Sequence, residues 1–215
     1  MIRNVKLLWL VHLVGNLLLL ALAWLWLSIP DARAWQLGTT AVLGLLILFG
    51  ILWLHGSTFR FFADEAPSLG AAFRSSLKRV PLFALWAAVW IGLTVLVERR
   101  VPMRPWNWLL VWIVIPCILL PLGAAAIGCG RKALASYSSW RYWGFTVLML
   151  VVGFYVPSRL IFWIPSVKGF VSEVASFIVR WFLAYQAFVT AWLMLAYVSS
   201  GGTPRVSQVK TASAP

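Results

Sequence analysis

Acidic residues, cysteine and histidine are nearly missing from this chain: 215 residues hold 5 Asp+Glu, 2 Cys and 2 His. So small an inventory disfavours paired-carboxylate catalysis, multidentate metal centres and disulfide frameworks, and no cofactor is implied. Cys117 and Cys129 do not form a CxxC pattern and read as reduced structural residues. Nucleotide-binding glycine loops of the P-loop or dinucleotide type are absent, so phosphoryl chemistry on nucleotides has no support. An intramembrane serine protease needs a serine and a histidine at matched depth, and Ser28 is far from both histidines.

Charge is also scarce, at 11% of residues, while 62% are hydrophobic and the mean hydropathy is +0.91. Soluble domains carry roughly 25% charged residues, so this chain cannot cover a water-soluble globule. It reads as an all-α polytopic membrane protein. Six apolar runs are long enough to cross a bilayer core, which takes about 20 residues per helix: 7–29, 37–54, 80–97, 106–127, 143–164 and 174–198. Long runs of period two, the mark of a transmembrane β-barrel, are missing. The first run follows Arg3 and Lys6 and precedes Ala32-Arg33-Ala34, as a secretion signal would. It is longer than the roughly 7–15 residues of a signal's apolar region, so a retained first helix is expected.

The 18 Lys+Arg leave a formal charge of +13. With no room in the apolar runs, most of that excess falls on short loops, where it speaks for topology and anionic lipid rather than nucleic acid. With the amino terminus inside, the cytoplasmic side holds Arg3, Lys6, Arg60, Arg74, Lys78, Arg79, Arg131, Lys132, Arg141, Arg205 and Lys210, and the far side holds the other seven. Both termini are therefore expected in the cytoplasm. The spans pair into three hairpins, each led by a basic segment, forming one domain over 1–198 with a disordered cytoplasmic tail over 199–215.

Residues 67–80 carry Leu69, Phe73, Leu77 and Val80 at helical spacing, with Arg74, Lys78 and Arg79 elsewhere on the wheel. This predicts a short interfacial amphipathic helix before the third span, its apolar stripe at the headgroups and its cations on anionic lipid. Ser68 suits the helix start, with Asp64 and Glu65 just upstream. A cytoplasmic extension of the third span is the alternative, with Pro81 at the bend. Pro116 and Pro121 interrupt the fourth span, which requires neighbouring side chains to take up the freed backbone groups.

Fifteen Trp stand out. Trp35, Trp53, Trp106, Trp108, Trp143 and Trp163 fall near span ends, where indole rings suit the headgroup region, while Trp24, Trp26, Trp86, Trp90, Trp112 and Trp192 lie deeper and imply packing between helices or contact with lipid. His12 and His55 fall at related depths of facing helices, an arrangement that could ligate haem or a pigment or simply bond to backbone. Asn16, one turn from His12, reads as polar glue between helices. Arg159 and Arg180 are the charges inside spans, and such charges mark function or structural pairing. Each is a candidate contact for an anion or lipid headgroup, with Glu173 the nearest acid and candidate counter-ion.

The run AAFRSSLKR at 71–79, followed by IPCILLPL at 115–122, resembles the YciC-type and related six-helix bacterial inner-membrane families. These include the membrane region attached to some glycerophosphodiesterases. The resemblance covers 66–198 and implies a bacterial inner membrane with no assigned activity. The near absence of ionisable groups within the spans and the many aromatic surfaces point to a membrane subunit or scaffold without catalytic activity of its own, with lipid and membrane-protein partners, the alternative being a small transporter or lipid-handling protein that uses Arg159 and Arg180. The topology is open to a direct check. Reporters fused after Pro215 and within the loop at 99–104 should give cytoplasmic and periplasmic signals respectively; a periplasmic signal from the tail contradicts the orientation.

Overall fold

The computed structural model describes residues 2–30, 32–63, 68–166 and 169–201. Among these residues there is no strand, and six helices are long and apolar enough to cross a membrane. In chain order the helices are α1 (Ile2–Leu27), α2 (Ala34–Ala63), the short α3 (Leu69–Leu77), α4 (Val80–Arg100), α5 (Arg104–Cys129), the single turn α6 (Arg131–Leu134), α7 (Trp140–Phe162) and α8 (Phe170–Ser199). The spans pair as three hairpins, α1 with α2, α4 with α5 and α7 with α8, as the sequence predicts. Asp64, Glu65, Pro67, Lys168 and the stretch 202–215, with Arg205 and Lys210, lie outside the described residues.

The most buried of the six spans is α5. Proline has no N–H and crowds the preceding turn, and α5 absorbs this with a π turn at Leu110–Val114 before Pro116. The same device recurs in α7, where a π turn at Val151–Tyr155 precedes Pro157. Pro121 removes the intrahelical donor of the Cys117 carbonyl, and the buried Tyr142 hydroxyl of α7 donates to that oxygen at 2.6 Å. The next two carbonyls are also taken: Tyr137 donates to that of Ile118, and the Trp86 indole of α4 to that of Leu119 at 2.8 Å. Neighbouring aromatic tips thus take over at the proline break, as the sequence requires of such a span.

Small residues let the helices close on this column. Trp86 lies so near Gly123 that a β-carbon there would come within 2.6 Å of its ring. At Gly153 a β-carbon would stand 2.1 Å from that of Ala191, so α7 and α8 meet where one residue has no side chain. Helix α8 reaches α1 through Tyr185, whose hydroxyl donates to the Leu13 carbonyl at 2.5 Å, and through Trp9, which donates to Thr190 at 3.3 Å.

Packing is concentrated at one end of the bundle. The ends of α2, α5 and α8 converge around Phe59, Phe83, Ile127 and Leu195. Arg60 locks the convergence by donating to the Gly128 carbonyl at 2.8 Å, and Gly128 ends the span with a left-handed φ of 106°. Ser200 of the α8 end shares its hydroxyl proton between the Ala196 carbonyl at 2.7 Å and the Phe59 carbonyl at 3.2 Å. Cys117 and Cys129 are buried thiols, and Cys129 donates to the Phe59 carbonyl at 3.5 Å. Towards the other end burial thins, and no described residue is buried over 13–46, 84–112 or 169–183.

Three expectations need correction. Helix α2 runs nine residues past the apolar run that marks it, because Ser57 and Thr58 return their hydroxyls to the Trp53 and Leu54 carbonyls and Arg60 finds the Gly128 carbonyl. Helix α3 is a separate helix, with a turn at Lys78 and Arg79 before α4, and not an extension of the third span. Against the protein it buries Ala72 and Ser76, with Ser76 meeting Ser57 at 2.7 Å and the Trp53 indole donating to the Phe73 carbonyl at 2.9 Å, while Leu77 is exposed. Ser199, Ser200 and Gly201, placed in the tail by composition, close α8, and both serines are buried.

Candidate functional site

The intramembrane arginines are the first residues to place, because a guanidinium among lipid tails is costly unless its donors are met. Arg180 of α8 meets them with backbone. Its Nη1 donates to the Ile161 carbonyl at 3.1 Å, the Leu160 carbonyl at 3.3 Å and the Trp163 carbonyl, and its Nε to the Ser176 carbonyl at 3.2 Å. These oxygens include the unsatisfied carbonyls at the C-terminal end of α7, where a cation also suits the helix dipole. Arg180 is a cap. Its Nε and Nη1 donors are engaged by backbone before any anion arrives.

Arg159 of α7 is exposed and lies with its guanidinium carbon 5.2 Å from the Tyr155 ring centroid. It lines a cleft of about 580 Å³ together with Glu98 of α4 and Arg104, Asn107 and Trp108 of α5. Asn107 holds one wall by donating to the Val97 and Val101 carbonyls at 3.4 and 3.1 Å, which fastens the end of α4 to the start of α5. Trp108 holds the other against Tyr155, with ring centroids 5.1 Å apart. The cleft therefore has rigid aromatic walls and carries two guanidiniums against one carboxylate, a composition suited to an anionic headgroup.

The pairing of Arg159 with Arg180 around Glu173 does not form. One arginine faces the cleft and the other caps α7. Among the described residues no ion pair forms, and Glu173 is exposed in the first turn of α8. The residue that joins Arg159 is Arg104, which the sequence offers only as one loop charge among several. Its proximity depends on the tilt of α5 against α7, and no local pattern encodes that.

His12 and His55 do come together, with ring centroids 5.4 Å apart, edge to face. Thr58 gives its only proton to the Leu54 carbonyl, so its oxygen accepts from His12 Nε2–H at 2.5 Å. His12 Nδ1 then accepts from Asn16 at 3.5 Å. Both nitrogens of this fully buried ring are engaged within the bundle, leaving no lone pair for iron or a pigment metal. His12 joins α1 to α2 through Thr58, whereas Asn16 bonds to His12 within α1 and not, as its reading as interhelical glue expects, across to another helix. Arg74, Lys78 and Arg79 are exposed around α3, while Arg60 donates to Ser75 at 3.4 Å.

Comparisons with protein-family models, with curated proteins and with solved structures return no match. The arginines then predict different consequences. Arg180→Leu should lower the thermal stability of the detergent-purified protein by about 1–3 kcal/mol, the cost of leaving the carbonyls at the end of α7 without a donor at membrane depth. Arg159→Leu, at an exposed position, should stay within roughly 0.5 kcal/mol. Equal effects in thermal unfolding would contradict the capping role.

Proposed function

We propose that this protein is an integral membrane subunit or scaffold of a bacterial inner membrane, with both termini cytoplasmic. The observation that carries this reading is the division of the bundle into a densely buried half and a half with few buried residues. In the first, hydroxyls, indoles and Arg60 hold helix to helix. In the second, α1, α2 and α4 present Leu18, Trp24, Leu45 and Ile91 at more than half exposure. A single chain that leaves so much apolar helix surface beyond its own packed core is suited to receive lipid or the helices of another membrane protein.

A second reading rests on the Arg104–Arg159 cleft. Here the protein retains an anionic lipid by its headgroup, with bidentate guanidinium contacts to a phosphate and aromatic walls beside the glycerol region. The cations of α3, Arg74, Lys78 and Arg79, would hold anionic lipid at the opposite surface through charge alone. Both readings share a membrane-embedded binding role, and they differ in what stays bound.

Photocrosslinking residues placed at Leu18 and Leu45, activated in native membranes, distinguish them. The scaffold reading predicts a discrete adduct with a second membrane protein at both sites. Adducts with lipid alone would overturn it. Anionic lipid that co-purifies with the native protein but not with an Arg104→Leu/Arg159→Leu variant would support the headgroup reading, and unchanged lipid content would remove it.

A further inference from the structure

Opposite charges line the Arg104–Arg159 cleft without meeting. Among the described residues, the side chains of Glu98, Arg104 and Arg159 form no ion pair and no hydrogen bond, although all three line this one cleft. Glu98 stands in the last turn of α4 beside Arg99 and Arg100, where the negative end of the helix dipole disfavours a carboxylate. Arg159 rests over the Tyr155 ring, a contact that leaves its N–H groups available. Charges of both signs are thus left over from folding and held apart in one place.

The cleft also has a direction. Arg104, Trp108 and Trp112 follow at spacings of four along α5, about 12 Å from first to last at 1.5 Å per residue. On α7 the order repeats, with Arg159 near the helix end and Tyr155 one turn deeper. Charge lies at the mouth and aromatic rings lie below it, the layout of a headgroup above its glycerol and chains. At about 580 Å³ the cleft falls within the roughly 300–1,000 Å³ of small-ligand sites, which gives room for an ester arm beside the phosphate. Two guanidiniums and one carboxylate leave one positive charge, which a phosphodiester cancels. Glu98 then needs a donor on the same ligand, because an ionised carboxylate only accepts. A hydroxyl donates without adding charge. An ammonium would donate too, but it would share the cleft with two guanidiniums and leave their excess charge uncancelled.

We propose that this cleft selects a phosphoglycerol lipid. Arg104 and Arg159 hold the phosphodiester, Glu98 accepts from a hydroxyl of the free glycerol arm, and the acyl-bearing glycerol lies beside Trp108 and Trp112. The proposal rests on the headgroup reading of the cleft and narrows it from anionic lipid in general to one headgroup.

The test titrates the delipidated full-length protein in detergent, by native mass spectrometry, with three lipids of identical dioleoyl chains. These are phosphatidylglycerol, phosphatidylmethanol, which keeps the single negative charge but has no hydroxyl, and phosphatidylethanolamine. Binding lost in the Arg104→Leu/Arg159→Leu variant is the cleft's own. In the cleft, phosphatidylglycerol should bind roughly tenfold more tightly than phosphatidylmethanol, the worth of a hydrogen bond to a charged acceptor. Glu98→Ala, at an exposed position, should bring phosphatidylglycerol down to the level of phosphatidylmethanol and hold the latter no less tightly than the native protein does. Soluble glycerophosphoglycerol at equal concentration should displace neither lipid, and displacement would overturn the lipid as the source of the headgroup. Equal, arginine-dependent binding of phosphatidylglycerol and phosphatidylmethanol would overturn the selection and leave the headgroup reading standing, as would phosphatidylethanolamine bound as tightly as phosphatidylglycerol. No arginine-dependent binding of any of the three would overturn both.

Discussion

A proline in the most buried helix leaves a backbone oxygen without its partner, and the rest of the bundle is arranged around that deficit. In hydrocarbon an unmet carbonyl costs several kcal/mol, so Pro121 in α5 can persist only where a neighbour supplies a donor. Tyr142 supplies it from α7 at the Cys117 carbonyl, with Trp86 of α4 and Tyr137 before α7 bonding the next two oxygens. Each of these bonds fixes the distance and rotation of a helix relative to α5. An apolar surface alone cannot do this among lipid tails, which are as apolar as leucine.

The asymmetry of the bundle follows from where such bonds lie. At the packed end, carbonyls of Phe59, Gly128 and Ala196 gather donors from Arg60, Cys129 and Ser200, and three helices converge. At the far end the outer halves of α1, α2 and α4 carry leucine, valine and tryptophan with few groups that demand a specific neighbour. Few directional bonds close the helices there, the Trp26 indole of α1 on the Thr40 carbonyl of α2 and Asn107 at the α4–α5 turn among them. Arg180 adds another, and it serves the α7–α8 hairpin, which stays packed as far as Gly153 and Ala184.

Much of the fold is legible in the residue order because hydrophobic length is a direct physical requirement of the bilayer. Six apolar runs, their pairing into hairpins, the separate short helix before the third span and the need for outside donors at Pro121 can all be read from the chain, whereas the π turn that accommodates Pro116 cannot. The identity of those donors cannot: Tyr142 and Trp86 are 21 and 35 residues from Pro121, and no local pattern links them to it. The same limit explains the candidate sites. Depth along a helix places Arg159 and Arg180 at one level, but rotation about the helix axis decides that one caps α7 and the other faces Arg104. Helix α3 shows a different limit, in that its Leu69–Phe73–Leu77 period is helical, yet the small residues Ala72 and Ser76 give the closer fit to α2. Comparable depth does bring His12 and His55 together, and the direction of Thr58's single proton then settles what His12 can do.

The central claim is that Tyr142 stabilises the bundle because Pro121 has left a carbonyl for it. A double-mutant cycle tests this most directly, using the unfolding free energy of purified protein with Tyr142→Phe, Pro121→Ala and both together. Tyr142→Phe should cost about 1 kcal/mol or more in the native background. It should cost close to nothing in the Pro121→Ala background, where the restored N–H can bond the Cys117 carbonyl from within the helix. Additive effects of the two substitutions would contradict the account.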